Sequence, residues 1–392
     1  VLPPLRHYKE SEPRDGICMA NTTEMTIDRL YTVNTDADIP ASRKRLGRLI
    51  LWAASALVVA SFVVEGLFKA GKTSFGFENW QPVLYAVILW CLALGVSLVM
   101  TRGESGKKLL FVLPAFLFTV FMVIFPTIFG LYIAFTDWNL SSFEGQHFNG
   151  TDNLVQMWHD PYFWNAIVNM IYYSLAIIVE YAIAFGLAML LNAEIKARKF
   201  FRVAFLLPFM LSPVAVSWMI GKSLGEYRFG PLATLARHLG WDQPAFFSTP
   251  GLARVSIMVM DAWTYIPFML IMLLAGLQAM PKEVQEAARV DGATGWQAFW
   301  KITFPLMLPV SITAVILRVI FKLKLADIVI NMTAGGPGGA TDTVTSFIFR
   351  EYRERSNVGY GTMLAFVYLV LIILFVTGLL KLASRWNTSG HD

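Results

Sequence analysis

The sequence predicts an all-α protein that lies in a membrane. Hydrophobic residues make up 56% of its 392 residues and charged residues only 15%, whereas a soluble domain carries about 25% charged residues. The mean hydropathy is +0.55. Apolar runs of roughly 20 residues, the length that crosses a bilayer, recur along the whole chain and predict about eight transmembrane helices. One membrane domain therefore fits the composition better than several soluble domains.

The predicted spans are apolar runs bounded by polar loops. They occupy residues 49–67, 83–100, 109–135, 166–191, 201–223, 255–277, 305–325 and 363–383. We divide the chain into an N-terminal tail (1–48), two additional N-terminal spans (49–108), a core of six spans (109–385) and a C-terminal tail (386–392).

Because a long polar tail precedes it, the first span is predicted to be an uncleaved anchor rather than a cleavable signal peptide. The tail lacks apolar periodicity and is expected to be partly disordered. The chain opens on Val1, so Met19 and Met25 are alternative natural starts. Its two cysteines, Cys18 and Cys91, form no disulfide framework, and Cys91 lies inside an apolar run.

Basic residues predict the orientation, because lysine and arginine concentrate in cytoplasmic loops. Between Phe135 and Lys196 there is no lysine or arginine, and the loop at residues 136–165 carries four acidic residues instead. The loops on the opposite side hold most of the positive charges: Arg43, Lys44, Arg45, Arg48, Arg102, Lys107, Lys108, Lys196, Arg198, Lys199, Arg202, Lys282, Arg289, Lys301, Lys381 and Arg385. Both termini are therefore predicted to be cytoplasmic. The net charge of +5 follows from this bias and does not indicate a nucleic-acid partner.

Residues 66–73, Gly-Leu-Phe-Lys-Ala-Gly-Lys-Thr, match the phosphate-binding loop pattern. That loop binds phosphate only where it links a buried strand to a helix. Here it follows a predicted transmembrane helix on the predicted outer side. We interpret the match as chance, and the sequence predicts no nucleotide site in this chain.

The most informative loop lies between the sixth and seventh predicted spans, at residues 278–304. Pro281 suits the first turn of a helix, and Gly292 suits its C-terminal cap. Thr294 and Gln297 form a capping-box pattern that begins a second short helix. An ordinary amphipathic connector on the membrane surface would explain this composition equally well.

The residue order distinguishes the two interpretations, because it resembles the coupling loop of ABC importer permeases. That loop carries Glu-Ala-Ala, then a glycine, then isoleucine and Leu-Pro; here Phe304 stands where the family often has leucine. The residues predicted to contact an ATPase are Glu286, Ala287, Ala288, Asp291, Gly292, Gly295, Ile302 and Pro305.

The resemblance extends over residues 109–385. Segments 262–268 and 274–278, with 206–208 and 333–337, are similar to maltose-type sugar permeases of the binding-protein-dependent transport system inner membrane component family. The two N-terminal spans are similar to the larger permease subunit of the maltose system. That subunit has a large folded domain in its second outer loop, whereas the corresponding loop of this chain, residues 136–165, is short.

This resemblance implies a type I ABC importer permease in the bacterial cytoplasmic membrane. It implies four kinds of partner: a second related permease, two copies of an ABC ATPase, an extracytoplasmic solute-binding protein and a carbohydrate substrate. ATP and Mg²⁺ would bind to the ATPase, so this chain would hold no cofactor or metal and would not itself be an enzyme.

Six residues in the sixth and seventh spans are candidates for the substrate path: Trp263, Tyr265, Phe268, Arg318, Phe321 and Lys322. The aromatic side chains would stack on a sugar ring or simply pack against helices and lipid. Charges within a span are costly and mark pairs or pathways. Arg318 and Lys322 would therefore either pair with Asp261 or Glu180, or bind a polyol-like or acidic saccharide.

A secondary transporter driven by an ion gradient is the alternative function, with Glu180 and Asp261 as its coupling carboxylates. A membrane-embedded enzyme fits less well, because the sequence has no zinc-ligand pattern or nucleophile elbow and its five histidines are scattered.

Overall fold

The computed structural model describes residues 39–69, 71–77, 79–143, 145–193 and 196–388, with side chains as far as residue 384. Most of the predicted N-terminal tail and the end of the C-terminal tail lie outside these residues. Within them every regular element is a helix, which confirms the predicted all-α class. The described part forms two compact units that meet between Thr127 and Ile128.

The N-terminal unit begins with α1, Ala41–Lys69, followed by α2, Gln81–Thr119. The first helix starts at Ala41 rather than at residue 49, so the predicted tail is shorter than the sequence suggested. The amides of Arg43 and Lys44 donate to the carbonyl of Pro40 at 3.0 and 3.1 Å. Arginine, lysine and leucine all favour helix, which lets the apolar span extend into its polar flank.

Helix α2 continues through a π-helical turn, Val120–Ile124, into α3, Phe125–Ala134. This 54-residue stretch contains both the second and third predicted spans. Its backbone breaks at Gly103, whose φ of 55° and ψ of −123° lie outside the helical region. A Cβ atom added at Gly106 would lie 2.0 Å from the carbonyl oxygen of Leu98. Two helical segments therefore fold back on each other at Gly103.

This hairpin explains why the compact units meet inside the third predicted span rather than at residues 108/109. A Cβ atom added at Gly95 would lie 2.9 Å from Cδ1 of Leu110. A cavity between the two segments is lined by Cys91, Leu113 and Pro114. The start of the third span is thus held by the second span and belongs to the N-terminal unit.

The phosphate-loop-like segment forms the end of α1. The amides of Gly71 and Lys72 donate to Phe68 and Leu67 at 3.0 Å, and Gly71 has a φ of 70°. This is the glycine cap that ends helices. The segment follows a helix rather than a strand, as its interpretation as a chance match requires.

The second unit holds the remaining elements. They are α4 (Asp152–His159), α5 (Pro161–Asn192), α6 (Arg198–Met210), α7 (Pro213–Val216), α8 (Ser223–Gly225), α9 (Pro231–His238), α10 (Pro250–Ala279), α11 (Lys282–Val290), α12 (Gly295–Ala298), α13 (Phe304–Leu323), α14 (Asp327–Thr333), α15 (Val344–Phe349) and α16 (Val358–Thr388). Further π-helical turns cover Ser217–Lys222, Phe299–Thr303 and Arg350–Glu354.

The fifth predicted span is not one straight helix, contrary to the sequence prediction. Helix α6 and the segment Pro213–Gly225 meet at an angle of 94°. Pro213 lacks the amide that would continue the helix, and its ring disfavours helical geometry at the preceding residue. Leu211 and Ser212 are accordingly extended, with ψ angles of 146° and 134°.

The centre of the second unit is formed by α5, α10 and α13, which pack against one another. Their contact surface buries a cluster that includes Phe185, Leu270 and Met307. Gly276 allows α10 and α13 to approach closely, because an added Cβ atom would lie 2.9 Å from Cε of Met307. The helices expose many large apolar side chains outward, as a lipid environment permits.

Six helices in the described part are long and apolar enough to cross a membrane, or seven if the bent pair counts as one span. The 54-residue helix with its break at Gly103 counts once in this number. The total of eight crossings therefore stays a prediction.

Candidate coupling segment and buried charge network

The predicted coupling loop is an ordered segment formed by α11 and α12. Helix α11 ends in a glycine cap: Gly292 has a φ of 74°, and its amide donates to Arg289 at 3.1 Å while that of Ala293 donates to Ala288 at 3.0 Å. This pair of bonds is the Schellman arrangement, which favours glycine at the left-handed position. The predicted glycine cap is confirmed.

The start of α12 is fixed by the predicted capping box. The amide of Thr294 donates to Oε1 of Gln297 at 2.9 Å, and the amide of Gln297 donates to Oγ1 of Thr294 at 3.3 Å. These bonds satisfy two of the backbone donors that a helix start leaves free.

Helix α12 is not a separate short helix, because it continues through the π-helical turn Phe299–Thr303 into α13. Pro305 lies in the first turn of α13 and has no amide to donate to Lys301. A π-helical turn absorbs such a missing bond without ending the helix. Helix α12 and the seventh predicted span therefore form one continuous helical body.

The two alanines of the predicted motif face different directions. Ala288 is only 5% exposed and packs against the rest of the chain, whereas Ala287 is exposed. Glu286, Asp291 and Gly292 are also exposed. Ala287 is therefore open to a partner in this structure, whereas Ala288 is covered by the chain itself and anchors α11; contact of either alanine with an ATPase stays a prediction.

The remaining predicted coupling residues lie behind or beside α11. Gly295 and Ile302 line a cavity of about 760 Å³ together with Ala288. Ile302 is half-buried, whereas Gly295 and Pro305 are exposed.

A second site lies where α5, α10 and α13 meet, and it consists of four buried charged side chains. Arg318 Nε donates to Oε2 of Glu180 at 2.6 Å, and Lys322 Nζ donates to Oε1 of Glu180 at 2.8 Å. Both cations also donate to Oδ2 of Asp261. Arg318 and Lys322 are each 0% exposed, and the two carboxylate residues are 1% exposed.

The geometry of this charge network matches the pairing that the sequence left open as an alternative. Two carboxylates and two cations cancel each other's charge, so no net charge is buried. One oxygen of Asp261, Oδ1, and one nitrogen of Arg318, Nη1, have no hydrogen-bond partner. The arrangement joins three helices at one point, and neither cation reaches solvent in this conformation.

The aromatic substrate-path candidates form a cluster beside the charge network. The ring of Phe321 lies 5.8 Å from Tyr265 and 5.1 Å from Phe268. Arg318 lies over the Tyr265 ring at 4.6 Å, in the geometry of a cation–π contact. Trp263 lies apart and is 37% exposed, because residues two apart on a helix do not share a face.

Sequence reasoning missed Phe209, which completes the aromatic cluster. Its ring lies 6.1 Å from Tyr265 and 5.7 Å from Phe268. Phe209 follows Pro208 near the end of α6, and α6 packs against α10. No local pattern signals this contact, because it depends on how these two helices pack.

The glycine-rich loop after α14 includes residues 333–337, which resemble sugar permeases, and side chains of α5 and α10 hold it in place. Asn169 Nδ2 and Arg254 Nε donate to the carbonyls of Asp342 and Ala340 at 2.9 and 2.7 Å. Asp342 is itself buried and pairs with Arg350. Burial raises the pKa of the Asp342 carboxyl despite that arginine. A carboxylate inside the loop argues against binding of an added anion there.

Three comparisons with known proteins agree with this architecture. Residues 181–387 match the family described as binding-protein-dependent transport system inner membrane component. The chain is 33% identical to the sulfoquinovosyl glycerol transport system permease protein of Agrobacterium fabrum, over 68% of this chain and 88% of that protein. It is 30% identical to the trehalose/maltose transport system permease protein of Thermococcus litoralis, over 71% and 94%.

A solved structure is similar in fold. It is a chain of the bacterial alginate ABC transporter in complex with an alginate pentasaccharide-bound periplasmic protein. The TM-score is 0.61 at 20% identity, and the match covers 79% of this chain and 98% of that chain. The coupling segment, α10 and α13 lie within residues 181–387, which match the family. This chain therefore belongs to the family of binding-protein-dependent transport system inner membrane components, the permeases of ABC importers.

Proposed function

We propose that this chain is the permease subunit of a carbohydrate importer and that α11 and α12 dock into a separate ABC ATPase. The observation that carries the proposal is the coupling segment, which presents Glu286, Ala287 and Asp291 on an ordered, capped helix. Relatives that transport sulfoquinovosyl glycerol or trehalose and maltose support a carbohydrate as the substrate.

The continuity of the helices supports a mechanical role for this segment. Helix α12 runs without a break into α13, and α13 is tied to α5 and α10 by the charge network. A displacement imposed on α12 would therefore move α13 as a rigid body and shift the helices bonded to it. Rigid-body switching between two arrangements is a common way to couple distant sites.

The assembly that we propose has further components. A second, related permease would complete the path, two ATPase copies would bind ATP and Mg²⁺, and an extracytoplasmic binding protein would deliver the sugar. The lysine and arginine bias supports an orientation in which both termini and the coupling segment lie on the cytoplasmic side of a bacterial inner membrane.

For the substrate path we favour the aromatic cluster over the charges. Tyr265, Phe268 and Phe321 are half-buried, and Phe209 is exposed, so this group offers ring faces on which a sugar would stack. Arg318 and Lys322 are fully buried by their carboxylate partners. Direct contact between either cation and the substrate would require the charge network to open.

A secondary transporter is less consistent with the same geometry. Ion coupling requires a carboxylate that takes up and releases its ion. Each carboxylate of the charge network already accepts hydrogen bonds from both Arg318 and Lys322. Neither is a free acid in this arrangement.

Replacement of Ala287 by tryptophan tests the coupling proposal. Ala287 is exposed, so the large side chain should leave the permease folded and block the approach of the ATPase. We expect the ATPase that co-purifies with the parent to be lost, and substrate uptake with it. Leu235→Trp, at an exposed position on α9, is the matched control and should retain both. Unchanged co-purification and uptake in Ala287→Trp would show that the segment is only a connector.

A further inference from the structure

A cavity beside the coupling segment has an unusual charge composition. It has a volume of about 570 Å³ and lies between the start of α6, the end of α10 and α11. Its lining includes four cationic side chains, those of Arg198, Arg202, Lys282 and Arg289, and only one carboxylate among the described residues, that of Glu286. A volume of this size accommodates a small ligand or the polar part of a larger one.

The two arginines of α6 form the inner wall of this cavity. They lie four residues apart, so their like charges face each other across one turn of helix and destabilise it. The amide oxygen of Gln278 turns toward the two arginines and accepts a hydrogen bond from each of them. The distance from Arg198 Nη2 to this oxygen is 3.0 Å. In the described part of the chain, neither arginine forms an ion pair with a carboxylate.

The same two side chains also carry unsatisfied donors. The Nε atoms of Arg198 and Arg202 are buried and have no hydrogen-bond partner among the residues that the structure describes. A buried donor without a partner costs free energy. The adjacent start of α6 adds to the positive potential, because its N-cap residue Ala197 provides no side-chain acceptor. An oxyanion between the guanidinium groups would compensate both the charge repulsion and the missing bonds.

We propose that this cavity binds a phosphate group, supplied either by the headgroup of an anionic lipid or by a phosphate-bearing solute. Arginine pairs bind phosphate through parallel N–H···O bonds, which makes guanidinium groups well suited to this ligand. The bound group would link α6 and α10 to α11, and would thereby brace the coupling segment. The proposal does not depend on which substrate the chain transports.

Two binding measurements on the delipidated, purified chain in non-ionic detergent distinguish the sources. One compares radiolabelled phosphatidylglycerol with phosphatidylcholine, and the other measures radiolabelled inorganic phosphate at constant ionic strength. Saturable binding of phosphatidylglycerol at least tenfold tighter than phosphatidylcholine identifies a lipid headgroup site. Saturable binding of inorganic phosphate identifies a site for a soluble phosphate. If the parent binds phosphatidylglycerol no better than phosphatidylcholine and shows no saturable binding of inorganic phosphate, the proposal is wrong.

Variants then locate the site. Arg198→Gln with Arg202→Gln should weaken anion binding at least tenfold. The matched control, Lys196→Gln with Lys199→Gln, removes the same charge from the same region outside the cavity and should change binding less than twofold. Equal weakening in both double variants, or in neither, would overturn the proposal.

A third variant tests the site in case the double arginine variant does not fold. Arg289 lines the cavity from exposed α11, so Arg289→Gln should leave the fold intact and weaken anion binding at least threefold. Unweakened binding in this variant would contradict the proposed site. The cavity would instead be a protein interface if the parent binds no anion and the arginine variants lose the co-purifying ATPase.

Discussion

Lys322 lies one helical turn after Arg318 on α13, and each of them bonds to both Glu180 and Asp261. At the residue scale, this reciprocity means that removal of one member leaves an uncompensated charge among buried neighbours. The loss of one partner from a buried ion pair costs about 3–5 kcal/mol, although replacement of a whole pair by apolar residues is often neutral. The balance of charge therefore matters more than any single bond.

We predict that Lys322→Met lowers the free energy of unfolding of the purified chain by about 3–5 kcal/mol. The companion variant Asp261→Asn should be destabilised similarly. Lys322→Met combined with Glu180→Gln restores a neutral network and should recover at least half of the loss. Thermal unfolding in detergent measures each of these effects.

Lys324→Met is the matched control, because Lys324 is exposed and lies outside the charge network; it should change stability by less than about 0.5 kcal/mol. One outcome for Lys322→Met would support a role of Lys322 in the substrate path instead. If Lys322→Met unfolds like the parent and keeps its partners but no longer transports, Lys322 acts on the substrate and the structural interpretation is wrong.

At the scale of the element, the coupling segment depends on one backbone conformation. Gly292 has a φ of 74°, and an added Cβ atom there would meet no other atom within 4 Å. Gly295 has equally open space but no positive φ. A comparison of substitutions at these two glycines therefore distinguishes backbone strain, expected only at Gly292, from steric crowding, expected at neither.

We predict that Gly292→Ala destabilises the end of α11 by about 1–2 kcal/mol, the cost of a left-handed conformation for a residue with a side chain. Hydrogen exchange of residues 282–293 should become roughly tenfold faster, whereas Gly295→Ala should leave it unchanged. Gly292→Pro also removes the bond to Arg289 and should uncouple ATP hydrolysis from uptake. Equal exchange in the two alanine variants would show that the cap does not order this segment.

At the scale of the whole molecule, the distribution of positive charge predicts a topology that single-cysteine labelling tests. In a background lacking Cys18 and Cys91, we expect Asp152→Cys to react with a membrane-impermeant maleimide in intact cells. Glu286→Cys and Arg198→Cys should react only after the membrane is opened. Labelling of position 286 from outside would place the coupling segment on the wrong side and would contradict the proposed docking of an ATPase.

The sequence by itself determined the features that depend on neighbouring residues. Apolar runs predicted the helices, and Gly292, Thr294 and Gln297 predicted the caps at the ends of α11 and α12, because a cap is satisfied within a few residues of the chain. The order Glu286, Ala287, Ala288 predicted a coupling segment in this loop. Family membership followed from the same local patterns.

Only the tertiary structure decided which residues meet across the chain. Arg318 and Glu180 are 138 residues apart, and their pairing depends on how α5, α10 and α13 pack. Packing also decided that Ala287 is exposed while Ala288 is buried. The packing of α6 against α10 brought Phe209 to the aromatic cluster, and the start of α6 set two arginines beside α11. Such contacts join distant segments through side-chain volume and charge, which no local pattern of residues specifies.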